Sequence, residues 1–279
     1  MTAFFRLVRP YTLIAPAVAG FFGTVIVQKV LSIVFPFHYV GIAVLTLAFL
    51  QAGGQVINQV ADIEIDRINK PWRPLPAGEI APETATKIGL FLLIIPLVLN
   101  LVVNVYAYTL ALVGVILAFF YSIEPIKAKR RHWAIALVWQ ALARGLLPPL
   151  YLFSLAKKVL HPFAVILSLI GFTWVFAFQP TKDFTDVKGD RMFGIQTLPV
   201  VYGEEESVRI ISYFGVVPLL LSLLLWPIDY GFVCFTAGLL AFYLVITVLL
   251  AVEEYKKAWM TYYLGLGFIY LGVSTVMVL

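Results

Sequence analysis

Five of the six aspartates in this 279-residue sequence fall into two short clusters, Asp62/Asp66 and Asp183/Asp186/Asp190. The first reads Asn58-Gln-Val-Ala-Asp62-Ile-Glu-Ile-Asp66-Arg67, the second Lys182-Asp183-Phe-Thr-Asp186-Val-Lys-Gly-Asp190-Arg191. Residues three and four apart share a helical face. Asn58, Asp62 and Asp66 therefore align, as do Asp183, Asp186 and Asp190. Such adjacent like charges repel and call for a cation. Hard oxygen donors without His or Cys favour Mg²⁺ over zinc or copper, and Mg²⁺ takes one or two carboxylates, completing its shell with water and substrate phosphates. The plainer alternative is a pair of solvated helix ends whose aspartates only cap and solubilise. Duplication of the cluster, which gathers nearly every Asp in the chain, weighs against it.

Cations lie beside both clusters. One connection, Arg67-Ile-Asn-Lys70-Pro-Trp-Arg73-Pro-Leu-Pro-Ala-Gly78, is stiffened by prolines and biased away from helix. Another is Tyr121-Ser-Ile-Glu-Pro125-Ile-Lys127-Ala-Lys129-Arg130-Arg131. A dinuclear Mg²⁺ site flanked by Lys and Arg suits a diphosphate, first as ligand and then as leaving group. Arg73 and Lys127, in Pro-ordered loops, are assigned to that role, whereas Lys129, Arg130 and Arg131 read equally well as topology determinants. Arg144, in Gln140-Ala-Leu-Ala-Arg144-Gly145, is the cation set deep in an apolar stretch. A charge there costs at least about 2.5 kcal/mol, so it is expected to face a cavity. Its partner is either an anionic acceptor group, such as a carboxylate, or a structural one.

The elements that carry these residues must cross a membrane. The chain is 62% hydrophobic and 13% charged, where ordinary soluble domains run about 45–50% apolar and about 25% charged. Cys234 is the single cysteine, so no internal disulfide forms. With about 20 apolar residues needed per crossing, nine spans are expected, at roughly 11–35, 38–59, 85–104, 106–122, 133–156, 160–180, 208–227, 230–252 and 258–279. This segmentation puts 16 Lys and Arg on one side and 3 on the other, with Arg144 within a span. Positive-inside bias then places the N-terminus and the Asp-bearing loops in the cytoplasm and the C-terminus outside. The net charge of +5 is accordingly read as loops facing an anionic leaflet, not as a nucleic-acid surface. Asp62, Asp66 and Arg67 match Asp186, Asp190 and Arg191 at a constant offset of 124 residues. A single domain over 1–279 is therefore expected, with four-helix pseudo-repeats at about 1–131 and 132–252 plus a ninth helix, the acidic ends facing each other across a shared cavity.

Together these residues resemble the UbiA superfamily of intramembrane prenyltransferases. Asn58-x-x-x-Asp62-x-x-x-Asp66 followed by Asn69-Lys-Pro-Trp-Arg73-Pro-Leu-Pro-Ala-Gly78 is similar to its first motif, Tyr121-Ser-Ile-Glu-Pro125-Ile-Lys127 to its tyrosine–lysine loop, and Lys182-Asp183-x-x-Asp186-x-x-x-Asp190 to its second motif. The resemblance runs from Arg9-Pro10 through all nine spans. It implies an all-α polytopic bundle around a central cavity, a cytoplasmic cap, and Mg²⁺-dependent transfer of an isoprenyl group from its diphosphate (geranyl to geranylgeranyl or longer) to a hydrophobic or aromatic acceptor in the bilayer. By position, Asp62, Asp66, Asp186 and Asp190 would hold Mg²⁺, with Asn58 and Asp183 assisting. Arg73, Lys127 and Lys182 would grip the diphosphate, and Tyr121 would act near the reacting carbon; Arg9, Arg67, Lys70 and Arg144 complete the substrate-binding set. Gln59 departs from the Asn-Asp that opens the motif in many members, so one ligand is either lost or replaced by an amide. The Asn-Gln pair and the Arg144-Gly145 pair resemble the homogentisate branch, which implies an aromatic quinone-precursor acceptor. An archaeal-type lipid glycerol phosphate and a chlorin alcohol are the alternatives. A secondary transporter, the rival from another class, would carry its acidic residues at midplane in broken helices.

Overall fold

The computed structural model describes residues 2–279, which are helical throughout with no strand among them. A short helix, α1 (Ala3–Val8), precedes α2 (Pro10–Leu31) and α3 (Phe37–Ala61). The chain then turns through α4 (Ile63–Asn69) before α5 (Pro82–Asn100), α6 (Val105–Phe120) and α7 (Trp133–Ser154). Next come α8 (Pro162–Thr185), the short α9 (Val187–Met192) and α10 (Leu198–Tyr202), and finally α11 (Glu204–Leu225), α12 (Phe232–Ala251) and α13 (Tyr255–Val278). Eight of these helices are long and apolar enough to cross a membrane. α6 is shorter, 16 residues or about 24 Å at 1.5 Å per residue, and completes the expected set of nine. Phe91, Val98, Leu244, Val248 and Leu264 are exposed along these helices, as lipid-facing side chains must be in an integral membrane protein.

Local chemistry fixes the joints. Asn104 caps α6 by accepting from the N–H groups of Tyr106 (2.9 Å) and Ala107 (3.0 Å). Its amide also donates to the Ser154 carbonyl at 3.0 Å, pinning the α5–α6 turn to the end of α7. Such a cap satisfies backbone donors that have no partner within the helix.

α7 is not a uniform helix. Leu142–Leu146 form a π-helical turn, with the Leu147 N–H donating to the Leu142 carbonyl. Pro148 and Pro149 follow directly. Lacking N–H groups, they cannot donate to the carbonyls of Arg144 and Gly145, which favours the wider register upstream. The turn brings α7 hard against α8: a Cβ on Gly145 would lie 2.3 Å from the Gly171 carbonyl oxygen. Only glycine permits that approach.

Both long Asp-bearing helices break at the same point in their motifs. Asp62 ends α3 with φ −109° and ψ 12°, and Asp186 ends α8 with φ −112° and ψ 0°. Each break starts a short helix, α4 or α9, that lies over the end of the bundle and carries the last aspartate of its cluster.

Candidate active site

One cavity reaches from this capped end into the bundle, and both acidic clusters line it: Asn58, Asp62 and Asp66 on one side, Asp183, Asp186 and Asp190 on the other. The tips are tied together directly. The Asn69 side chain at the end of α4 donates to the Asp186 carbonyl (2.9 Å) and accepts from the Gly189 N–H (2.9 Å) in the first turn of α9. Gly189 must lack a side chain, since its Cβ would lie 2.5 Å from Asn69 Nδ2. Lys70, the next residue, forms an ion pair with Asp186 across the same gap.

Further ion pairs close the cluster: Arg73 with Asp66 and Lys129 with Asp62. Asn58 Nδ2 donates to Asp62 Oδ2 at 2.9 Å and to Ser122 Oγ at 3.1 Å, fixing that carboxylate's orientation. Lys182 stands 4.0 Å from Asp183. Tyr121 and Arg144 also line the cavity. Arg144 donates to Gln179 Oε1 at 3.3 Å and to the Tyr263 hydroxyl at 3.4 Å, both neutral partners.

The carboxylates are electrostatically divided. Burial would raise Asp186, but Lys70, Lys182 and Arg73 outweigh it and hold the group below its ordinary value. Burial together with the neighbouring Asp183 and Asp186 charges pushes Asp190 up to about 8. Asp66 is raised by burial despite Arg73. Burial lowers Lys70 and Lys129 against the pull of their Asp partners.

The donor chemistry suits Mg²⁺. It is all oxygen and largely buried, and burial with the neighbouring Asp183 and Asp186 charges raises Asp190, a crowding of carboxylates that a cation relieves. Among the described residues no three carboxylate, His or Cys side chains converge into a ready-made cage. An Mg²⁺ ion held here would share its shell between carboxylates, water and substrate phosphates.

Three residues fall elsewhere than the sequence places them. Lys127 is left-handed (φ 42°) and pairs with Glu124 at 3.4 Å, away from the cavity. The tight turn Ala128–Arg130, tied by the Lys129 N–H to the Tyr121 carbonyl at 3.1 Å, swings Lys129 inward instead. Arg67 bonds Glu64 at 2.8 Å on the exposed outer face of α4. Gln59 lies outside the cavity lining, its Nε2 donating to the Leu7 carbonyl at 2.7 Å, which anchors α1. Asn69 and Lys129 are the residues that sequence reasoning did not assign. For Asn69 the available signal was an amide just before Lys70, at the point where the short helix ends.

A polytopic helical bundle whose end gathers carboxylates and cations over an intramembrane cavity defines a membrane-embedded transferase acting on a phosphorylated apolar substrate. Residues 13–272 match the UbiA prenyltransferase family, and the chain belongs to it; it is a prenyltransferase. It is similar to digeranylgeranylglyceryl phosphate synthase of Sulfurisphaera tokodaii, 32% identical over 92% of this chain and 91% of the relative. A solved structure of digeranylgeranylglyceryl phosphate synthase superposes with a TM-score of 0.71 at 26% identity, covering 99% of this chain and 98% of that one. A UbiA homolog from Archaeoglobus fulgidus, solved with GPP and Mg²⁺, shares the fold at a TM-score of 0.72 and 18% identity, covering 98% and 100%. These relatives favour the lipid glycerol phosphate alternative over the aromatic quinone-precursor acceptor.

Proposed function

We propose that this protein transfers a geranylgeranyl group from its diphosphate to a glyceryl phosphate that already carries one such chain, yielding a digeranylgeranylglyceryl phosphate. The carrying observation is the Asn69–Lys70 bridge, which ties the two acidic helix ends together over one cavity that both line. The similarity to digeranylgeranylglyceryl phosphate synthases supports the acceptor.

Asp62, Asp66, Asp186 and Asp190 would hold Mg²⁺, with Asn58 and Asp183 as supports. Bound there, the ion neutralises the diphosphate and stabilises its charge as the allylic C–O bond breaks. Lys70, Arg73 and Lys129 now neutralise aspartates. With those carboxylates engaged by the ion, Lys70, Arg73 and Lys129 would be free to pair with the diphosphate oxygens, as would Lys182. Cations that exchange partners in this way keep the buried site close to neutral in both states, which avoids the cost of an unpaired buried charge. Tyr121 stands on the cavity wall between this end and Arg144, where the reacting carbon would lie. The apolar wall below it, including Leu47, Leu50, Leu117 and Leu147, receives the isoprenoid chain and keeps out water that would quench an allylic cation. In orientation, the capped end and the N-terminus face the cytoplasm and the C-terminus the outside, as the Lys/Arg bias indicates.

The test is transfer by detergent-purified protein from labelled geranylgeranyl diphosphate with Mg²⁺, offering geranylgeranylglyceryl phosphate and a prenylatable aromatic acid side by side. The reading requires the lipid product, its loss with EDTA, and its loss in Asp66→Asn and Asp186→Asn. Exclusive prenylation of the aromatic acid overturns it.

A further inference from the structure

Of the cations that line the cavity, Lys70, Arg73, Lys129 and Lys182 face aspartates, whereas Arg9 and Arg144 do not. Arg9 joins α1 to α2 in a left-handed conformation (φ 52°), which turns it toward the cavity it lines. Its side chain has no ion pair and no hydrogen bond among the described residues; the nearby Asp66 is already held by Arg73. Burial and the Arg73 charge lower Arg9 to about 10, as expected for a guanidinium lacking a counter-anion.

A second donor lies in the same corner. The Thr12 hydroxyl lies 2.8 Å from the Arg9 carbonyl and donates to Gln55 Oε1 at 2.7 Å, coupling the two residues. That leaves Gln55 Nε2 buried without a partner, although Gln55 lines the cavity. An unsatisfied buried amide and an unpaired guanidinium each cost free energy that a bound oxyanion recovers. Deeper in the same cavity, Arg144 too has only neutral hydrogen-bond partners, and the carboxylate near Arg9, Asp66, is held by Arg73. A phosphate monoester, with about −1.5 to −2 charge at pH 7, is a far better match to such a corner than a neutral alcohol.

We propose that Arg9 and Gln55 seat the phosphate of the acceptor and so make the enzyme prefer a phosphorylated acceptor over its dephosphorylated counterpart. This rests on the prenyl-transfer reading above and adds a second anion subsite beside the one for the donor diphosphate, with Arg9 next to Arg73 and Asp66. Arg9 is a specificity residue here; it does not touch the allylic carbon.

The experiment compares wild type, Arg9→Gln, Arg9→Lys and Gln55→Leu in full-length purified protein, with geranylgeranyl diphosphate as donor. Acceptors are geranylgeranylglyceryl phosphate and geranylgeranylglycerol. Arg9→Gln is expected to raise the KM for the phosphorylated acceptor at least tenfold, to collapse the preference for it, and to leave the donor KM within twofold. Arg9→Lys recovers part of the preference. Gln55→Leu, which removes an amide but no charge, shifts the acceptor KM in the same direction by about threefold and keeps the test alive if Arg9→Gln does not fold. An unchanged acceptor KM and preference in Arg9→Gln, or a donor KM raised as much as the acceptor KM, overturns the subsite while leaving the transfer reaction standing. A wild type that prenylates only unphosphorylated acceptors overturns the acceptor reading itself.

Discussion

Removing the Asn69 side chain should uncouple the two halves of the site without touching a carboxylate. Asn69→Ala deletes the donor to the Asp186 carbonyl and the acceptor for the Gly189 N–H, both at 2.9 Å. Gly189 is in the first turn of α9, so its N–H has no partner within that helix and Asn69 serves as a cap supplied from another element. Two hydrogen bonds at about 0.5–1.5 kcal/mol each total about 1–3 kcal/mol. Spent on holding the tips in register, that corresponds to a loss of roughly 5- to 150-fold in kcat/KM. Gly189→Ala drives a Cβ to 2.5 Å from Asn69 Nδ2 and should reproduce the loss from the opposite side. Because both substitutions break one contact, the double variant should be little worse than either single. The assay is initial-rate transfer from labelled geranylgeranyl diphosphate across a Mg²⁺ titration, with thermal unfolding monitored alongside. Wild-type kcat/KM and Mg²⁺ dependence in a folded Asn69→Ala variant would refute the reasoning.

Lys129→Met should reduce transfer more than tenfold and destabilise the metal-free protein by about 3–5 kcal/mol, because it strands Asp62 without its buried partner. Lys127→Met, whose lysine pairs outward with Glu124, should change transfer less than twofold; rates and thermal unfolding of the pair decide between the two lysines. Mg²⁺ affinity should climb with pH up to about 8, with a proton released on binding below that, since Asp190 keeps its proton up to about 8 in the absence of metal. Calorimetry in buffers of different ionisation heat reads that proton. The sign for stability is the opposite: the unfolded chain ionises Asp190 near 4 and the folded one only near 8, so this group costs the metal-free protein stability as pH rises across that window. Gly145→Ala, with its Cβ 2.3 Å from the Gly171 oxygen, should cost about 1–3 kcal/mol or more and displace Arg144, lowering both unfolding temperature and rate.

Much of this arrangement is written in the sequence because it depends on periodicity and counting. The span lengths follow from bilayer thickness, and the Asp spacings follow from helical repeat. The constant offset between the clusters anticipated that Asp62 and Asp186 would sit at matching breaks, which they do with nearly the same backbone angles. Loop side chains follow no such repeat. Whether Lys127 or Lys129 enters the site depends on a three-residue turn, Ala128–Arg130, and a single backbone bond to Tyr121. Gln59 stands where many family members carry Asp, which left open a lost ligand or an amide in its place; successive residues on a helix point about 100° apart, and its side chain bonds α1. The bridging role of Asn69 depends on two elements more than a hundred residues apart meeting, which no local pattern encodes. The π turn around Arg144 was signalled only indirectly, by Pro148-Pro149. The aromatic acceptor was inferred from the dipeptides Asn58-Gln59 and Arg144-Gly145, yet Gln59 and Arg144 bond neutral protein groups, and the relatives favour the lipid glycerol phosphate alternative.

The central claim is that both acidic helix ends serve one donor head. A structure of the protein with Mg²⁺ and a non-hydrolysable geranylgeranyl thiodiphosphate tests it most directly. The account predicts metal ions linked to the diphosphate from both sides, through Asp62 or Asp66 and through Asp186 or Asp190, with Lys70, Arg73 and Lys129 moved from their aspartates onto phosphate oxygens. A diphosphate bound by one cluster alone, with the opposite aspartates still paired to their cations, would contradict it.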